Sequence, residues 1–331
     1  MKKLECLFFV CCAVLLCSCE EHRLDAPAET FGVTFVLDGG GAGTRATSAV
    51  GDASLSEMCL YIFNSQGILV DAVSTTQSSA FRNFEAGEYT VYAAVNCGAG
   101  VSDYSTASAI GATVRTLTSQ SLSNFSMYGS ASFEVPEDIE CFIPVVRLVS
   151  KVELRKVSVD FSSRPSLAGS TLTIDAIYII NATGSAVLNG AVSHTASSWL
   201  NQRAHNSAGV DNLLYDAVSQ GVADGSSYNT THYYYCLQND TTEDTHDAVW
   251  SPRHTRLVVE CTLAGRKTYY PIDIVSPSGR LVRNSNYRIS ELTITGFGAD
   301  GPDEPIPEDE AYTFSGQVLN WEGTYTINEE F

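Results

Sequence analysis

Apolar and polar residues alternate with period two through most of the chain, the signature of half-buried β-strands. Phe31, Val33, Phe35 and Leu37 share one face of a strand. Tyr89, Val91, Ala93 and Val95 share another behind the turn residue Gly87, and Leu257-Val258-Val259, Tyr269-Tyr270-Pro271-Ile272 and Tyr287-Arg288-Ile289 continue the pattern. The apolar phase flips between Tyr287/Ile289 and Leu292/Ile294, which calls for a bulge or bend near Ser290. Val145, Leu148, Val149 and Val152 fit helical spacing, although their β-branched content favours a strand at least as much. Gly209 to Val218 could hold a short surface helix. The fold class expected is all-β: two tandem β-sandwich domains of the transthyretin-like, Greek-key kind with few short helices. An internal echo supports the pairing of domains. Leu60-Tyr61-Ile62-Phe63-Asn64-Ser65-Gln66-Gly67 and Ile177-Tyr178-Ile179-Ile180-Asn181-Ala182-Thr183-Gly184 both read as strand, Asn-x-x-Gly turn and return strand, the same hairpin used twice.

A boundary near Arg147 divides the body into residues 46–147 and 148–298. After Phe297 the chain turns acidic and Pro-rich, so residues 299–311 read as an extended hinge that cannot pair centrally in a sheet. Strand chemistry returns in 312–331, with Tyr312, Phe314, Gly316 and Val318 on one face and Leu319 and Trp321 on the other.

The first residues carry an address. Lys2-Lys3 precede the apolar run Leu7 to Leu16, too short for a spanning helix, and Leu16-Cys17-Ser18-Cys19 resembles the lipobox of bacterial lipoproteins. The resemblance implies a signal peptide over residues 1–18, cleavage after Ser18 and a lipid such as palmitate on Cys19, which would anchor the precursor to an outer membrane. Glu20-Glu21 look like a signal for the outer leaflet's external face.

Composition narrows the function. The 331 residues include 44% hydrophobic and 17% charged residues, so the chain folds. With 19 Lys+Arg against 38 Asp+Glu, the formal net charge is −19, which repels phosphate backbones and excludes nucleic acid as a natural partner. Five cysteines lie beyond the signal and lipid site: Cys59, Cys97, Cys141, Cys236 and Cys261. They sit in apolar runs without a C-x-x-C, which favours buried free thiols over a disulfide. H-E-x-x-H, G-x-S-x-G, G-x-G-x-x-G and Walker A spacings are missing. No catalytic residue, metal site or cofactor is therefore assigned, and an enzyme is not expected. The histidines and carboxylates between His232 and His254 imitate a cluster, but Gln238 to His246 reads as a solvated loop.

Gly39-Gly40-Gly41-Ala42-Gly43-Thr44-Arg45-Ala46 forms a glycine loop with one Arg, open to a trypsin-like protease; an ordinary hairpin loop is the alternative. The ordered set of Leu60-Tyr61-Ile62-Phe63-Asn64, Gly87 to Asn96, Met127-Tyr128-Gly129, Arg147 to Leu154 and the Arg283-Asn284-Ser285-Asn286-Tyr287 strand resembles the fimbrillins, subunits of lipoprotein-derived type V pili. That resemblance implies a mechanism. An Arg-specific surface protease cuts between Arg45 and Ala46, residues 19–45 depart with the strand Phe31, Val33, Phe35, Leu37, and a neighbouring subunit's tail strand (Tyr312, Phe314, Gly316, Val318) takes the vacant groove. The partners implied are other pilus subunits in a head-to-tail homo- or heteropolymer, supporting adhesion as a fimbrium at the cell surface. Losing four apolar side chains at about 1.5–3 kcal/mol each uncovers an upper-bound sum of roughly 6–12 kcal/mol. The alternative is a tip adhesin or monomeric surface lipoprotein that binds a glycan or host protein, with some of the 16 Tyr as stacking surfaces. An anchor subunit fits less well, because the chain has both the Arg site and the tail.

Overall fold

A computed structural model describes residues 29–38, 55–98, 104–192, 199–206, 209–242, 251–306, 312–320 and 323–324. Cys19, Arg45, Ala46 and the whole signal segment lie outside them. The regular secondary structure of the described residues is almost all strand, as the alternation dictates.

The N-terminal half comprises β1 (Thr30–Asp38), β2 (Met58–Asn64), β3 (Leu69–Thr75), β4 (Ser79–Glu85), β5 (Gly87–Val95), β6 (Val114–Thr116), β7 (Met127–Val135) and β8 (Glu140–Arg147), with the one-turn helix α1 (Ala107–Gly111). Seven of these strands join in the order β3-β2-β5-β7-β8-β1-β4. β8 links two segments of that sheet. Its first part, Glu140 to Pro144, pairs in parallel with β1, and Val145 to Arg147 pair antiparallel with β7. The sheet curls round a core of Val33, Phe35, Met58, Leu60, Ile62, Val91, Phe133 and Ile143, all buried.

The C-terminal half comprises β9 (Val149–Leu154), β10 (Val157–Val159), β11 (Thr171–Ile180), β12 (Ala182–Thr183), β13 (Ser185–Val187), β14 (Trp199–Leu200), the four-residue helix α2 (Asp211–Leu214), β15 (Tyr215–Ala223), β16 (Ser227–Tyr228), β17 (His232–Leu237), β18 (Arg256–Leu263), β19 (Arg266–Asp273), β20 (Ser285–Ile294), β21 (Tyr312–Asn320) and β22 (Gly323–Thr324). A sheet ordered β15-β11-β18-β19 faces one built round β20, which pairs in parallel with β9 and β10 and antiparallel with β21. The pairing of β20 with β21 slips between Ile289 and Glu291, so the phase flip seen in the sequence is a bulge at Ser290.

The two halves share a core. Met58, Leu60 and Ile62 face the N-terminal core, whereas Cys59, Tyr61 and Phe63 join the cluster that holds Val149, Val152, Ile177, Tyr235 and Leu292. This explains why β2 is an unbroken apolar run: each of its faces is covered. Only Leu148 separates β8 from β9, and it is buried with them. The five described cysteines are buried and none forms a disulfide, as their apolar neighbours favoured.

Val145, Leu148, Val149 and Val152 lie in or between strands, all buried, because both faces there are packed; the strand reading of this stretch holds and the helical spacing is coincidental. Three expectations need correction. Between Gly209 and Val218 the helix is only α2, and its Leu213 and Leu214 are buried rather than at the surface. The internal echo does not repeat a hairpin. Asn64 accepts from the backbone of Gln66 and Ile68, with Gly67 at φ +74°, and β2 returns as β3. Asn181 instead adopts φ +53° and sends the chain away, β12 pairing with β14 and β13 with β6. Finally, the run Gln238 to His246 expected as a solvated loop is described only as far as Thr242, residues 243–246 lying outside the described residues, and within it Asn239 and Thr241 are buried. Asn239 is 1% exposed, donates to the Arg253 carbonyl at 2.7 Å and exchanges backbone hydrogen bonds with Leu281.

Candidate functional site

The strand read as removable is β1, and its surroundings make its removal consequential. Along one edge, Thr30 to Val36 pair antiparallel with Glu85 to Ser79 of β4. Along the other, Thr34 to Asp38 pair in parallel with Glu140 to Pro144 of β8. Among the described residues β4 has no strand partner other than β1, so β1 alone carries it. The Thr34 amide donates to the Ile139 carbonyl at 2.9 Å and the Leu37 amide to that of Ser78 at 3.0 Å. Taking β1 away leaves two rows of backbone donors and acceptors facing an empty slot, an arrangement that costs free energy until another strand fills it.

The side chains of β1 obey the alternation. Val33 and Phe35 are fully buried, and Phe31 and Leu37 pack against the same core half-buried. The Phe35 ring meets Phe133 edge-on at 5.1 Å and Phe84 at 5.9 Å between centroids, the geometry aromatic quadrupoles favour. Cys141 lies directly opposite Phe35 on β8 and is 4% exposed. Burial pushes its thiol up to about 11, so at neutral pH it stays protonated beneath β1. On the outer face Gly32 lies under the Phe81 ring, where a β-carbon would come within 2.4 Å of that ring.

Tyr312, Phe314, Gly316 and Val318 stand in β21, where the register sets them opposite Ile294, Leu292, Ile289 and Tyr287 of β20. β1 and β21 thus belong to different sheets, and the structure does not bring them together. Among the described residues β21 has only the two-residue β22 beyond it, whereas β20 keeps β9 and β10 on its far side. Removing β21 therefore strips one edge of β20 and leaves the other paired.

The segment expected as a loose hinge is fixed at its start. Ala299 is fully buried and exchanges backbone hydrogen bonds with Tyr269 at 3.1 and 2.8 Å. Asp303, 5% exposed, accepts from Arg256 at 2.5 Å, Arg253 at 3.1 Å and the Asn181 amide at 2.8 Å. Arg256 also meets Asp273 at 2.6 Å. No local motif announces this clamp, since its members are up to 122 positions apart in sequence. The corresponding lesson holds for β4 and β8: sequence reasoning identified β1 but not the strands that hold it.

Of the region between His232 and His254, residues 243–250 with Glu243, Asp244, His246 and Asp247 lie outside the described residues, and the described histidines stand in separate pairs. His232 lies in β17, its Nδ1 at 2.7 Å from Asp216 and its Nε2 at 2.9 Å from the Tyr228 hydroxyl. The His232 hydrogen bond holds the Asp216 carboxyl below its ordinary range. His254 sits 3.1 Å from Asp273. Among the described residues no group of three His, Cys, Asp or Glu is arranged to hold a metal ion. Near the start of β1 an open cavity of about 400 Å³ is lined by Glu88, Glu134 and Asp138 beside the stacked rings of Tyr89 and Phe133.

No family model matches the sequence, and no curated protein is similar to it. Solved structures are. A fimbrilin from Porphyromonas gingivalis superposes at TM-score 0.64 with 16% identity, over 89% of this chain and 98% of that one. A Parabacteroides distasonis protein assigned to cell adhesion gives 0.62 at 18% identity, over 90% and 98%. A C-terminally truncated tip fimbrial protein from Porphyromonas gingivalis gives 0.51 at 11% identity, over 88% and 100%. With two fused β-sandwich halves and this correspondence along nearly the whole of each partner, the chain has the fimbrillin fold.

Proposed function

We propose that this chain is a structural subunit of a surface pilus, assembled by strand exchange at the β1 seat. The observation that carries the reading is the position of β1: an N-terminal strand, buried on its inner face, that alone joins β4 to β8. Excision after Arg45 releases β1, and an incoming strand finds two unpaired strand edges and an apolar floor, the conditions under which β-augmentation is strong. The tail Tyr312 to Asn320 of a second subunit is the donor, and head-to-tail donation does not close on itself, so it gives filaments. The precursor reaches the surface with a lipid on Cys19 and loses it with β1. The solved fimbrial and adhesion proteins of the same fold support this role.

The test begins with purified precursor and an Arg-specific protease. Maturation predicts a new N-terminus at Ala46 and ladders that resist mild detergent. Uncut Arg45, or cutting that leaves only monomers, removes strand exchange. Cys141 gives a second readout. Its thiol is expected to be inert in the precursor, to react when β1 is released and to be protected again in the polymer, while Cys59, Cys97, Cys236 and Cys261 stay unreactive throughout.

A further inference from the structure

We propose that the outer face of the β1 seat, formed by Phe81, Ile139 and Phe142, is a second contact between successive subunits, covered by the body of the subunit that donates the strand. The proposal rests on the strand-exchange reading above. Phe81 is 56%, Ile139 71% and Phe142 57% exposed. The register clusters them: Phe81 is opposite Thr34, Phe142 opposite Val36, and Ile139 immediately precedes β8 and accepts from the Thr34 amide. All three belong to β4, β8 or the turn before β8, so they remain when β1 leaves. Large apolar side chains grouped in this way on a surface mark an interaction site more often than isolated ones do.

The occupant follows from the tether. Asp303 is clamped in the donor's C-terminal half by two buried arginines, so only the eight residues 304–311 separate that half from the strand it gives. Eight residues reach at most about 29 Å. A half of roughly 150 residues has a radius of gyration near 15 Å, so a tether shorter than its diameter holds its surface close beside the rim of the seat. The rim carries two phenyl rings and an isoleucine. The contact they make is apolar, and a second copy of this chain is the partner that the tether delivers.

The experiment uses the full-length precursor with Phe81, Ile139 and Phe142 all changed to Ser, exposed positions, its folding checked by an inert Cys141 thiol before cleavage. After cleavage, two quantities are read: capture of a synthetic peptide spanning residues 312–331, scored by re-protection of Cys141, and polymer yield. The expectation is peptide capture within about twofold of wild type and polymer formation reduced at least about tenfold, the size of a lost contact hot spot. Polymerisation at the wild-type rate overturns the proposal alone. Loss of peptide capture in the variant also overturns it, because the face would then belong to the groove. Wild-type protein that fails to capture the peptide overturns strand exchange by this chain's own tail, and this contact with it.

Discussion

At the residue scale, buried charge is spent on joining distant segments. Glu153, 2% exposed, lies between Arg155 at 2.7 Å and Arg288 at 2.8 Å. Burial alone would raise its pKa, but the two guanidinium groups outweigh that and hold the carboxyl below its ordinary range. A depressed carboxyl contributes stability above its unfolded pKa, about 4.3, and loses that contribution as the pH falls through the folded value. Glu153→Gln is therefore expected to cost about 2 kcal/mol at pH 7 and to flatten the loss of stability between pH 7 and 3, read from urea midpoints. The Asp303 clamp is stricter. Asp303→Ala leaves Arg253 and Arg256 buried without their shared counter-ion, and about 3–5 kcal/mol of stability should go with it. An unchanged Tm would show that Asp273 suffices for both. The Arg283-Asn284-Ser285-Asn286-Tyr287 stretch also has a physical account. Arg283 donates to the Leu188 carbonyl at 2.7 Å, Asn284 turns the chain at φ +56° and accepts from Arg147, and the Tyr287 hydroxyl accepts from the Val282 amide. These residues tie the C-terminal half to the joint between halves.

At the element scale, β1 is defined by what depends on it. Phe35→Ala empties the centre of its buried face, between Phe84 and Phe133, and should destabilise the precursor by about 3–5 kcal/mol. Protein already matured to Ala46 lacks this strand, so the same substitution has no effect on donor capture. A loss of capture in that form would place Phe35 outside the released segment. The alternation of β1 was fully legible, because a strand with one covered face writes its period into the sequence. Its partners were not. β4 and β8 follow β1 by about 45 and 105 positions, and register across such separations leaves no local trace. The turns show the same limit. Asn64 and Asn181 stand in like sequences, yet one closes a hairpin and the other, held by Asp303, diverts the chain.

For the whole molecule, a formal charge of −19 works against packing copies head to tail. The connecting segment adds Glu304, Glu308, Asp309 and Glu310, and the seat's near end presents Glu88, Glu134 and Asp138. Assembly of cleaved subunits is expected to accelerate about tenfold between low salt and roughly 0.15 M, where the Debye length shrinks to about 8 Å. Light scattering across a salt series checks this, and a rate that falls with salt would mean that opposite charges drive the encounter. In the proposed assembly, apolar contacts at the seat and the paired backbone of the inserted strand would supply the attraction that screening allows to act.

The sequence by itself determined the strand-rich class, the buried thiols, the bulge at Ser290 and the inward face of β1, because each depends on local period or composition. The tertiary structure decided which strands flank β1, that β2 serves two cores at once, and that Asp303 fixes the exit of the tail. Those depend on pairings between residues tens to more than a hundred positions apart. Chain-closure entropy and packing select such pairings only when the whole molecule folds.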